Sequence, residues 1–235
     1  MYLNILKKDL KRKKAMNIIL LVFIILATMF VSSSANNILS VTSALDNYFE
    51  MADVPDYLVT TMNKNLSIDI DEEIKSADAV ERYEIENVIF LSPENFIFEN
   101  DEIEIPGGTN MVQSDILLNY FLSDGSILET VNKGELYMTE SKAEAYGVEL
   151  GDKLTIEING ASCEVTLKDK IKDALFGANQ LSMTRYIISE ADYDTLISPK
   201  DTKSFYGGSL VYIHSSDIDT AVTQLKPLLD NSVLT

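Results

Sequence analysis

The stretch from Ala15 to Val31 reads AMNIILLVFIILATMFV and contains no charged residue, with Asn17 and Thr28 as its clearly polar members. Extended by the tolerant Ser32–Ala35, it reaches the ~20 residues that carry a helix across ~30 Å of hydrocarbon. Lys7, Lys8, Lys11, Arg12, Lys13 and Lys14 precede it against the single acid Asp9, a net of about +5. Basic residues flanking a span stay on the cytoplasmic side, so the N-terminus reads as cytoplasmic and residues after about 35 as extracellular or periplasmic. A cleaved signal peptide competes with this reading, with Ser33-Ser34-Ala35 as its cleavage site. The apolar run is longer than the 7–15 residues of a signal h-region. Leu3, Ile5, Leu6 and Leu10 also alternate with Lys7, Lys8 and Lys11, an amphipathic segment suited to the inner leaflet. The uncleaved anchor is therefore the better reading.

Charge divides the chain into two electrostatic objects. The 235 residues carry a formal net charge of -18. All but six of the 19 basic residues and all but one of the 37 acidic ones follow residue 14, leaving 13 against 36, about -23. Such a surface repels phosphates, which argues against nucleic acid as a partner. One cysteine excludes an intrachain disulfide framework or a cysteine zinc site, and one histidine, His214, leaves little room for a His-based metal centre or triad.

The helical pattern continues past the apolar run. Ile38, Leu39, Val41, Leu45, Tyr48 and Phe49 recur at spacings of three and four, which predicts an amphipathic helix ending near Met51, before Pro55. The stripe needs something to pack on: another helix, a second subunit, or the core of the outer domain, of which this would then be the first helix. Beyond it, Asp56–Met62, Val80–Leu91 and Asn95–Glu104 read as strands, Asp69–Ala77 as a short acidic helix, and Gln113–Leu122 as a strand or short helix. Glu135–Met138 is a strand, followed by a helix from Glu140 to Tyr146 with Thr139 as N-cap and Gly147 as C′ residue. Leu154–Ile158 and Ala161–Leu167 flank Asn159-Gly160, a strong hairpin signal. Cys163 lies within the second of these strands and reads as a small buried side chain. Two strand–helix units close the chain: Arg185–Ser189 with a cap at Ser189-x-x-Asp192, and Ser209–His214 with one at Ser216-x-x-Asp219. The expected class is α+β: a transmembrane helix with a helical stalk, then a mixed-sheet extracellular domain with a small β-rich subdomain. The expected division is a basic segment 1–14, a transmembrane helix 15–35, a stalk 36–54 and a domain 55–235, with the β-rich part at about 95–180.

The segment from Gly134 to Gly160 carries the most specific pattern, with Gly147-Val148 and Gly151-Asp152 forming Gly-Val-x-x-Gly-Asp between a helix and a Leu-Thr-Ile…Asn-Gly hairpin. It resembles the extracytoplasmic core domain of ABC transporter permeases of the MacB/FtsX type, and the layout of nearly the whole chain is similar. The resemblance implies a permease subunit whose ectodomain couples ATP-driven motion to export or handling of a cell-envelope substrate. Its implied partners are an ATP-binding cassette ATPase on a separate chain, membrane lipid and a second permease. Family permeases carry at least four transmembrane helices, so the resemblance also implies that this chain is an N-terminal part. Read as residues, Gly147, Val148, Gly151 and Asp152 are structural: glycine supplies a positive φ and aspartate ties local amides.

The chain has no Gly-x-x-x-x-Gly-Lys-Ser/Thr phosphate loop and no nucleophile with a histidine at recognisable spacing. Asp69-x-Asp71 lacks the later ligands of a calcium loop. Acidic pairs such as Asp192/Asp194 and Asp217/Asp219 read as caps and solvated faces. The sequence thus points to no enzyme, cofactor or metal. Two other classes stay open: a single-pass sensor or adhesion ectodomain, and a secreted enzyme released by signal cleavage.

Overall fold

The computed structural model describes residues 13–61, 74–178, 183–198 and 207–229. The chain forms two compact units, divided between Glu50 and Met51. The first unit is helical, and its helix α1 runs without a break over Lys14–Met51, 38 residues. Its side chains are unburied along the whole length. The Thr28 hydroxyl donates to the Ile25 carbonyl at 2.8 Å, so the polar group in the apolar stretch is satisfied within the helix. By length and composition α1 is able to cross a membrane.

The second unit is α+β. Nine strands form one mixed sheet: β1 Tyr57–Thr61, β2 Arg82–Leu91, β3 Phe96–Phe98, β4 Thr109–Gln113, β5 Glu135–Thr139, β6 Lys153–Ile158, β7 Ala161–Ile171, β8 Met183–Ile188 and β9 Gly207–His214. Their order is β1-β9-β2-β4-β8-β5-β7-β6-β3, with β4–β8 and β5–β7 parallel and the other pairs antiparallel. Helices α2 Glu140–Tyr146, α3 Glu190–Ile197 and α4 Ile218–Leu229 accompany it. Residues 95–180 supply β3 to β7 and α2, and these strands share the one sheet with β1, β2, β8 and β9.

Alternation along the strands sorts side chains onto two faces. One face gathers Val88, Met111, Tyr137, Ile187, Leu210 and Tyr212 under a cover that includes Leu118, Tyr120, Leu128 and Phe176. The other divides into a large cluster, with Val112, Leu136, Met138, Leu154, Ile156, Val165 and Tyr186 beneath Ala143 and Leu196, and a smaller one of Val59, Val211 and Ile213 beneath Ile74 and Leu225. A bulge between Leu136 and Tyr137 shifts the β5–β7 register. As a result β7 gives Leu167 to the large cluster and Ile171 to the opposite face.

Several sequence expectations shift. Asp69–Ala77 lies mostly outside the described residues, and its described end is a turn with Ile74 buried. Gln113–Leu122 is neither strand nor helix: β4 ends at Gln113, and the following apolar residues cover the sheet as irregular chain. Their hydrophobicity serves burial, which fixes no backbone period. Asn95–Glu104 contributes three strand residues after a 3₁₀ turn at Pro93–Asn95. Thr139 precedes α2, but its hydroxyl is buried without a hydrogen bond among the described residues and does not cap. The last helix is capped by Asp217, whose carboxylate accepts from Thr220 N at 3.2 Å, while the Ser216 hydroxyl bonds Glu81. The Asn159-Gly160 hairpin forms as expected, with both residues at positive φ (48° and 82°).

Candidate functional site

Gly147 ends α2 at φ 72°, its N–H reaching back to Ala143 and Glu144 carbonyls. Val148 N donates to Ala143 O at 2.8 Å, and its side chain is sealed in the large cluster. Asp152 Oδ2 accepts from Glu149 N at 2.8 Å, while Asp152 N returns to Glu149 O at 3.1 Å. Gly151 N donates to Leu167 O, and Leu167 N to Asp152 O, both at 2.9 Å. These bonds lock α2 to β6 and β7. Gly147, Val148, Gly151 and Asp152 are brought together as one folded corner whose polar groups bond each other and the strand beside them.

A second arrangement lies where the second unit begins. Met51 O and Ala52 O, carbonyls a helix end leaves unmet, accept from Asn119 Nδ2 at 2.9 Å and Asn119 N at 3.2 Å. Asp53 takes a left-handed backbone (φ 53°), which a short polar residue tolerates better than most. Arg82 Nη2 donates to Asp53 Oδ1 at 2.6 Å and lies 2.8 Å from His214 Nε2. A guanidinium only donates, so His214 Nε2 is the acceptor and its ring proton is assigned to Nδ1. The Asp53 bond raises the Arg82 pKa above its ordinary value. The chain's one histidine thus sits beside the cation that binds Asp53.

The third arrangement is deeply buried. β8 turns Met183, Arg185 and Ile187 to one face, and the Arg185 side chain has no exposure there. Its Nε donates to Asp173 Oδ2 at 2.8 Å. Nη1 is shared among Gln113 Oε1 at 2.6 Å, Glu86 Oε2 at 3.2 Å, Tyr212 Oη at 3.2 Å and Tyr120 Oη. The guanidinium carbon lies 5.1 Å from the Tyr120 ring centroid and 4.9 Å from that of Phe176. Nη2 has no hydrogen-bond partner among the described residues. Asp173 also accepts from Leu175 N and Phe176 N at 2.9 and 3.0 Å, fixing the turn after β7. Glu86 accepts from Gln113 Nε2 at 2.6 Å and from the Tyr212 hydroxyl. Burial pushes the Glu86 carboxyl up to about 7, against the pull of Arg185 and the Tyr212 hydroxyl. Sequence reading missed this cluster. Arg185 stands at the start of an apolar strand, where a charge ordinarily marks a solvated end, and Glu86 alternates with Glu84 as on a wet face.

Among the described residues no three His, Cys, Asp or Glu side chains are grouped to hold a metal ion. Among the described residues these three arrangements are a locked turn, a hydrogen-bonded start to the second unit and a charged core.

No family model matches the chain, and no curated protein does. Among solved structures, a domain of a "putative Permease protein" from Porphyromonas gingivalis is similar at 12% identity, over 74% of this chain and 82% of that one, with a TM-score of 0.38. That likeness is too slight to carry a function across.

Proposed function

We propose that this chain is the N-terminal part of the permease subunit of an ABC transporter of the MacB/FtsX type. In this reading α1 crosses the membrane from a cytoplasmic N-terminus, and the mixed-sheet domain lies outside. An ATPase on a separate chain drives a change of pose in that domain, which handles a cell-envelope substrate without covalent chemistry. The observation that carries the reading is α1. It is unbroken over 38 residues, about 57 Å at 1.5 Å per residue, and uncharged between Lys14 and Asp46. About 30 Å of that length satisfies the hydrocarbon, and the rest continues as a polar-flanked rod. The Gly147–Asp152 corner adds the family-like sequence.

Labelling decides the orientation. Cys163 is buried in β7, so a cysteine introduced at exposed Asp124 is the reactive thiol. In intact cells a membrane-impermeant maleimide should modify Asp124→Cys without lysis. Labelling only after lysis would overturn the topology. Recovery of an ATP-binding cassette subunit with the full-length permease tests the partner, and its absence from the detergent-solubilised complex would count against the transporter reading.

A further inference from the structure

The Arg185 cluster holds more negative than positive groups. Arg185, Glu86 and Asp173 all have fully buried side chains. One guanidinium faces two carboxyl groups, and an uncompensated buried charge is costly. The two carboxyls are not equivalent. Asp173 is met only by donors, Arg185 Nε at 2.8 Å and two backbone N–H groups. Glu86 receives a longer Arg185 contact, 3.2 Å, from a nitrogen shared with three other acceptors. Its Oε2 also touches the Tyr212 hydroxyl, which accepts as readily as it donates. A proton on Oε2 would be donated to the Tyr212 oxygen once that hydroxyl turns away, while Gln113 continues to donate to Oε1.

We propose that Glu86 is a proton-binding site of the folded domain, so that folding takes up a proton and the fold tightens as the pH falls. The groups around it are Gln113 of β4 with Asp115 just beyond, Tyr120 of the covering stretch, Arg185 of β8 and Tyr212 of β9, with Asp173 of the turn after β7 on the far side of Arg185 and Tyr193 of α3 within electrostatic range. Burial, opposed by Arg185 and the Tyr212 hydroxyl, places the Glu86 carboxyl at about 7 against an ordinary 4.5. Between those values the folded state holds more proton than the unfolded chain. The folding constant therefore rises as pH falls through that window, by up to about tenfold per pH unit, and levels off on either side.

The test uses the full chain in detergent micelles, unfolded with urea from pH 5 to pH 8 and followed by tyrosine near-UV circular dichroism. Wild-type protein should show the extra slope of about one proton, and Glu86→Gln should lose it. A Glu86→Gln protein with the same slope as wild type overturns the proposal. Infrared difference spectra of folded wild-type protein between pH 7 and pH 9 stand independently of that variant's ability to fold. Exposed carboxylates are ionised at both values, so a protonated-carboxyl stretch at pH 7 alone supports the proposal, and its absence refutes it.

Discussion

Replacing Arg185 by methionine removes the one cation that two buried carboxyl groups share. The Arg185 side chain has no exposure, and its nitrogens reach Asp173, Gln113, Glu86, Tyr212 and Tyr120. Methionine roughly fills the slot between the Tyr120 and Phe176 rings, so the loss is chiefly electrostatic. Asp173 keeps its two backbone donors, and Glu86 keeps Gln113 and Tyr212. Leaving a buried charge without its partner costs about 3–5 kcal/mol, a large share of the ~5–15 kcal/mol that stabilises an ordinary domain. The expected loss for Arg185→Met at pH 8 is about 4 kcal/mol, read from urea unfolding of the full chain by two probes whose transitions coincide. The loss should shrink toward pH 6, because a proton on Glu86 removes one of the stranded charges. Adding Glu86→Gln to Arg185→Met should restore part of the stability, with a coupling of ~1–3 kcal/mol. A single-variant loss below about 1 kcal/mol, or two variants whose effects simply add within ~0.5 kcal/mol, would refute this account of the cluster.

A β-carbon on Gly177 would fall 2.2 Å from the Asp173 carbonyl oxygen, closer than any side chain tolerates. Gly177→Ala should therefore open the turn that orients Asp173 and cost about 2 kcal/mol or more, measured by the same unfolding transition; wild-type stability would show that the turn yields freely. Burial pushes the Cys163 thiol up to about 12, so it stays protonated across the range where thiol reagents are used. Native protein at pH 8 should react with a disulfide-exchange reagent only as fast as the sheet opens, and denatured protein at once; prompt native labelling would place Cys163 outside the core.

Local chemistry made much of this fold legible. LTIEI and ASCEVTL alternate with the period of a strand, and Asn159-Gly160 between them supplies two positive-φ residues, so the β6–β7 hairpin follows from adjacent residues alone. Ser189 takes its cap role because its hydroxyl can accept from Asp192 N three residues on. The failures share a cause in distance along the chain. Arg185 and Glu86 are 99 residues apart, and each reads as surface until β2, β4 and β8 place them on one face. Gln113–Leu122 is apolar because it covers a sheet face, a demand that any backbone shape can meet. The Asp53 cation was equally hidden: Arg82 meets His214 through the β2–β9 register, which no local signal announces.

Two of these long-range features meet in consecutive residues. Asn119 donates to the Met51 and Ala52 carbonyls, and the hydroxyl oxygen of Tyr120, the next residue, accepts from Arg185. The segment carrying both has little regular structure of its own, being tied by two isolated bridges, from Phe121 to Ile127 and from Phe121 to Lys172. Backbone bonds brace it, Leu122 N donating to Ser126 O, Leu128 N to Tyr120 O and Lys172 N to Phe121 O. Tyr120 is almost fully buried, so its place is set by the charged core beneath it. Tyr120 can leave that place only against the Arg185 bond and the packing of its ring. The buried charges, which are poor stabilisers compared with apolar packing, are well suited to this other task. An arginine with several fixed acceptors specifies one position for each of them, where a greasy contact would let Tyr120 slide.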